Sequence, residues 1–167
     1  MTEATNRGPL VSAGTLIGAG LGGFLDGIVL HQITQVHNLL SGKYPPTTLV
    51  NVEINMFWDG LFHALCWVMT ALGLALLWRA GGRADVPWSS RTFVGSLFLG
   101  WGVFNLVEGV VDHHVLKIHN VVQRLGESAW DYGFLAVGGL GMIAIGWALI
   151  RSGRNDAEPR GRSPVVG

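Results

Sequence analysis

The chain has 167 residues, of which 13% are charged and 49% hydrophobic, with a formal net charge of zero. That balance excludes an ordinary soluble domain. With no basic run interleaved with aromatics, it also excludes a nucleic-acid partner. The 25 glycines and seven tryptophans suit membrane helices, where small residues permit close packing and indoles anchor at the interface. The single cysteine, Cys66, rules out an internal disulfide or a Cys-paired zinc or redox motif and reads as a small buried apolar side chain.

In chain order, residues 1–9 read as a retained N-terminal segment, lacking the basic start and short apolar core of a cleaved signal peptide. Four apolar stretches follow, at about 10–40, 54–78, 93–119 and 130–150, each long enough for the roughly 20 residues a bilayer crossing requires. The connections SGKYPPTTLVN, RAGGRADVPWSSR and NVVQRLGES carry Pro, Gly or charge. Residues 151–167 are polar and Pro- and Gly-bearing, and read as a disordered cytoplasmic tail. The expected architecture is therefore an all-α bundle of four transmembrane helices spanning 10–150, with the lipid bilayer as its first partner.

Cationic residues orient such a bundle, because they stay on the cytoplasmic side. Arg7, Arg79, Arg83, Arg91, Arg151, Arg154, Arg160 and Arg162 fall on one side, against Lys43, Lys117 and Arg124 on the other. Both termini are expected to be cytoplasmic, in a multi-pass protein of the bacterial inner membrane.

The polar residues inside the spans follow a pattern. DGIVLHQITQVHN from Asp26 aligns without a gap over EGVVDHHVLKIHN from Glu108, which pairs His31 with His113, His37 with His119 and Asn38 with Asn120. FWDGLF at Phe57 likewise answers AWDYGF at Ala129, pairing Trp58 with Trp130 and Asp59 with Asp131. The pattern predicts two tandem helical-hairpin repeats related by a pseudo-twofold axis along the membrane normal. In that topology every repeated acid and histidine falls in the outer half of the bundle.

An ionisable group within a span is costly unless paired, hydrated or metal-bound, so the cluster reads as a functional site. The expected metal ligands are Asp26, His31, Asp59, His63, Glu108 and His113, with Asp112 and Asp131 as ligands or orienting partners. On an ideal α-helix, Asp59 and His63 lie about 40° apart and can share an ion, as can Glu108 and Asp112. Asp26 and His31, five residues apart, lie about 140° apart and cannot share a narrow face. His37 and His119 fall roughly 16 Å further out and suggest a separate outer site. The donors favour a divalent metal, zinc or iron, with copper a weaker match whose softer ligands would be Cys66 and Met56. Trp58 and Trp130 read as interface anchors. The roles of His37, His119 and especially His114, aligned with Gln32, are open, as is a homo-oligomer or membrane-complex partner.

The motifs GFLDGIVLHQ, WDGLFHA, NLVEGVVDHH and WDYGFL resemble those of a bacterial predicted-membrane-protein family, domain of unknown function 2243, over about Leu16 to Ile150. The resemblance implies four membrane helices and no particular activity. Metal handling or a metallocentre is the leading reading. Its alternatives are a mono- or di-metal hydrolase or oxygenase acting on a lipid-soluble substrate, a haem protein with His31 and His113 as axial ligands, an ion pathway, and a purely structural polar bundle. A complete pathway is disfavoured, because the inner halves of the helices offer only Ser12, Thr15, Thr70 and Ser96.

Overall fold

A computed structural model describes residues 6–153 and contains, among them, helices and turns but no strand. Of the tail expected to be disordered over 151–167, the first residues continue the last helix through Ser152; residues 154–167, and with them the placement of Arg154, Arg160 and Arg162, lie outside the described residues. Four rods are long and apolar enough to cross a membrane: α1 (Gly8–Ile33), α2 (Leu49–Gly81), α3 (Ser90–Val115) and α4 (Ala129–Ser152).

Local chemistry accounts for where they begin. Pro9 occupies the first turn of α1, where its missing N–H leaves nothing unsatisfied. The side chains of Thr48 and Ser89 cap α2 and α3 by accepting from Asn51 N and Thr92 N. Ser128 and Asp131 form a reciprocal capping box at the start of α4.

α1 and α3 form the centre, with α2 packed along α1 and α4 along α3. The central pair approaches closely at two glycines: a Cβ on Gly18 would collide with the Leu97 backbone, and one on Gly100 with the Thr15 carbonyl. The outer helices leave Leu65, Trp67, Trp78, Val137, Leu140 and Trp147 exposed, as lipid-facing surfaces require. Trp58 and Trp130 are exposed near the starts of α2 and α4. Away from the polar cluster, the Thr70 and Ser96 hydroxyls return to carbonyls of their own helices, Cys66 O and Thr92 O.

Two departures from ideal α-helix decide the site. α1 changes to π-helix over Gly27–Ile33, and α3 does so over Gly109–Val115. Each stretch ends on a hydrogen bond spanning five residues, Thr34 N to Val29 O (2.9 Å) and Leu116 N to Val111 O (2.7 Å). The next residues, Gln35 and Lys117, both take the left-handed conformation at φ 49°. The chain then doubles back, closed by Val36 N to Leu30 O (3.0 Å) and Ile118 N to Asp112 O (2.9 Å). The rods therefore end at Ile33 and Val115, short of the expected 40 and 119, and the segments after them fold over the end of the bundle. α4 carries a third π stretch, Phe134–Gly141.

Candidate metal centre

The π stretches bring residues five apart onto one side of the helix, which ideal α geometry forbids. Asp26 Oδ2 thus lies 3.3 Å from His31 Nε2, and Glu108 Oε1 lies 3.3 Å from His113 Nε2. The 140° separation expected for Asp26 and His31 does not hold, because it assumes 3.6 residues per turn through a segment that is not α-helical.

The doubled-back segments correct a second expectation. His37 and His119 are not at an outer site roughly 16 Å away, because the left-handed turns at Gln35 and Lys117 return both rings to the cluster. His119 Nε2 lies 3.0 Å from Glu108 Oε1. The rings of His37 and His119 stack at 4.6 Å, His31 meets His37 at 4.6 Å, and His113 meets His119 at 4.7 Å. All four imidazoles are buried.

Three of the rings are hydrogen-bonded through Nδ1, and the fourth, His113, has an acid beside it. His31 Nδ1 pairs with Asp59 Oδ1 at 2.9 Å, and His113 Nδ1 lies 3.3 Å from Asp131 Oδ1. The other two are held across the bundle: His37 Nδ1–H donates to Val121 O and His119 Nδ1–H to Leu39 O, both at 2.9 Å. A carbonyl can only accept, so His37 and His119 each carry a proton on Nδ1; Nε2 of a neutral ring is then a lone pair, and at His119 the 3.0 Å approach of Glu108 Oε1 requires a proton between the two atoms. Nε2 of His37 is buried without a hydrogen-bond partner among the described residues.

Asp59 and Asp131 are orienting partners whose oxygens are already engaged. Asp59 accepts from Leu39 N (2.9 Å) and Asn38 Nδ2 (2.9 Å) besides His31. Asp131 accepts from Val121 N (2.9 Å) and Ser128 N (2.8 Å). The carboxylates that approach an Nε2 atom are Asp26 and Glu108. The remaining expected ligands stand apart. His63 packs against Gly27 and between Phe24 and Phe62. Asp112 is half-buried and belongs to neither compact trio of donors, which are His31, His37 and His119, and Glu108, His113 and His119. His114 lies at the rim, 3.7 Å from Glu127, whose carboxyl the Tyr132 hydroxyl (2.7 Å) and Lys117 hold below its ordinary range.

Burial, followed by the neighbouring His119 and His31 rings, pushes His37 down from 6.5 to about 3. It stays neutral at physiological pH. Four acids, Asp26, Asp59, Glu108 and Asp131, are buried with these imidazoles. Acids so placed in a low-dielectric setting need a compensating partner.

The fold and this cluster define a four-helix membrane protein with a buried histidine and carboxylate centre near one end. The chain belongs to the family described as predicted membrane protein (DUF2243), which matches residues 13–153. No curated protein and no solved structure matches it.

Proposed function

We propose that this membrane protein binds divalent metal through the Nε2 atoms of His31, His37, His113 and His119 and the carboxylates of Asp26 and Glu108. One observation carries the reading: four imidazoles are buried together, and three of them, His31, His37 and His119, are hydrogen-bonded through Nδ1 to a carboxylate or a backbone carbonyl, which leaves Nε2 as the atom to meet an ion. Metal-ligating histidines are ordinarily oriented in this way. Donors bound to one ion at about 2.1 Å stand about 3–4 Å apart. The 3.0 and 3.3 Å approaches of Glu108 to His119 and His113 fall in that range.

Imidazole with carboxylate favours zinc or iron over Cu(I). The softer donors are elsewhere, with Cys66 buried against Gly23 and Met56 exposed. The neighbouring rings of His31, His37, His119 and His113 pack with centroids under 5 Å apart, and a haem between His31 and His113 would have to displace that packing. The arginine bias supports a reading with the termini in the cytoplasm and this centre at the outer face. There an opening of about 560 Å³, lined by Thr34, His37, Ser41 and Gln123 among others, offers an ion a polar approach.

The test is elemental analysis of the full chain, purified without chelators or a metal-binding tag, beside the His31→Ala/His113→Ala variant. Bound zinc or iron in the parent and its loss in the variant are expected. Full metal content in the variant, or none in the parent, refutes the reading.

A further inference from the structure

A second opening reaches the same cluster from the side of the bundle. It is a cleft of about 340 Å³ between α1, α3 and α4, lined among others by Gly22, Leu25, Asp26, Trp101, Asn105 and Phe134. Its walls are apolar and aromatic, and Leu25 at its edge is exposed on a surface that faces lipid.

The corresponding position on the other side is occupied by a ring. In the alignment that sets Asp26 over Glu108, Gly22 falls over Phe104. On that other side the space is filled, because Phe104 packs on Phe62 at 5.8 Å and against Gly23. Gly22 has no side chain to do the same, and Trp101 lies against its backbone instead.

Two polar groups line this apolar space. Asn105 is 5% exposed, and its Oδ1 is buried with no hydrogen-bond partner among the described residues. Its Nδ2 donates to Gly138 O at 3.0 Å, which fixes which end of the amide is the oxygen. Asp26 is 8% exposed, and its Oδ2 lies near His31 Nε2 but poorly aimed for a hydrogen bond. Buried acceptors without donors are costly, and in a pocket they select a ligand that brings a donor. Trp101 and Phe134 offer faces and edges to an aromatic ring.

We infer that this cleft binds the hydroxyl-bearing ring of a phenol dissolved in the bilayer, its hydroxyl donating to Asn105 Oδ1 or the Asp26 carboxylate and its ring set between Trp101 and Phe134. The volume suits one substituted ring. A hydrocarbon of the same shape fills the space but leaves the acceptors unpaired, so the hydroxyl is what the site recognises. Such a molecule rests beside the His31 and Asp26 pair, reached from lipid, while the polar opening at His37 serves ions.

The test uses the full chain in lipid nanodiscs with a photoreactive para-alkylphenol, competed by para-hexylphenol or by hexylbenzene. Labelling is expected at Leu25, Val29 and Trp101, with the phenol competing about tenfold or more better than the hydrocarbon. Asn105→Leu should narrow that preference, and Gly22→Phe, which supplies the ring found on the other side, should abolish labelling. Labelling spread over α2, or equal competition by both compounds, overturns the inference. The wild-type result decides even where a variant fails to fold. Metal content measured on the same samples separates this inference from the metal reading, since either can fail while the other stands.

Discussion

The two sides of the centre use nearly the same parts and differ by one methylene. On one, His31 lies between Asp26 and Asp59; on the other, His113 lies between Glu108 and Asp131. Glu108, the longer acid, reaches His113 and His119 together, at 3.3 and 3.0 Å. Asp26 approaches His31 alone among the contacts described for it. Both compact donor trios include His119, and the one with a carboxylate takes it from Glu108. The lesson is that near-equivalent halves need not build equivalent sites. The Glu108 side is better furnished to hold an ion, and the Asp26 side keeps a carboxylate beside an opening to lipid.

The sharpest way to break this comparison is to remove the histidine common to both trios. His119→Ala should lower metal affinity by more than about 100-fold, exceeding the usual effect of losing an orienting partner. His37→Ala should cost less, since Glu108, His113 and His119 remain. Competition with a chelator of known affinity measures both, and equal losses would dissolve the distinction.

Next come the acids behind the rings. Asp59→Asn and Asp131→Asn should each weaken binding by about 10- to 100-fold. The larger effect is expected at Asp59, whose hold on its ring is 2.9 Å against 3.3 Å. The same titration reads it, and a larger loss at Asp131 would reverse the ranking.

A smaller effect concerns acid. The unfolded chain protonates His37 near 6.5 and the folded chain only near 3, so stability from this group is complete above 6.5 and falls as pH drops toward 3. The slope should be about 1.4 kcal/mol per pH unit in metal-free protein. Unfolding in detergent across that window should show it, and His37→Asn should flatten it. An unchanged slope would mean that His37 is not held neutral.

The smallest difference expected is none between the halves. Gln35→Gly and Lys117→Gly each relieve a left-handed residue and should each stabilise by up to about 1 kcal/mol. Thermal unfolding would show whether one turn is more strained than its counterpart.

The four spans were legible in the sequence because about 20 apolar residues in a row have few other uses, and the polar cluster because acids and histidines in such spans are conspicuous. Two features were hidden. The π stretches invalidate any projection at 3.6 residues per turn, so Asp26 with His31 was read as apart. The left-handed turns fall on Gln35 and Lys117, residue types that do not advertise a positive φ as glycine or asparagine would. A signal was present: the acid and the histidine stand five apart both at Asp26 and His31 and at Glu108 and His113, the spacing that π geometry brings together and α geometry separates. His63 looked like a ligand by spacing alone, yet it packs against aromatic rings.

The crossed anchors have a consequence for how the protein is made. His37 hangs on Val121, 84 residues later, and His119 on Leu39, 80 residues earlier. Neither hairpin can finish its own half of the centre. At about 5–20 residues per second, the first hairpin waits roughly 4–17 s in the membrane before its counterpart is synthesised. Throughout that interval it carries an unfinished set of charged groups. Loaded metal would thus certify that the whole chain has been inserted, and a ribosome stalled after α2 would leave a hairpin that quality control can recognise by its unmet polar groups.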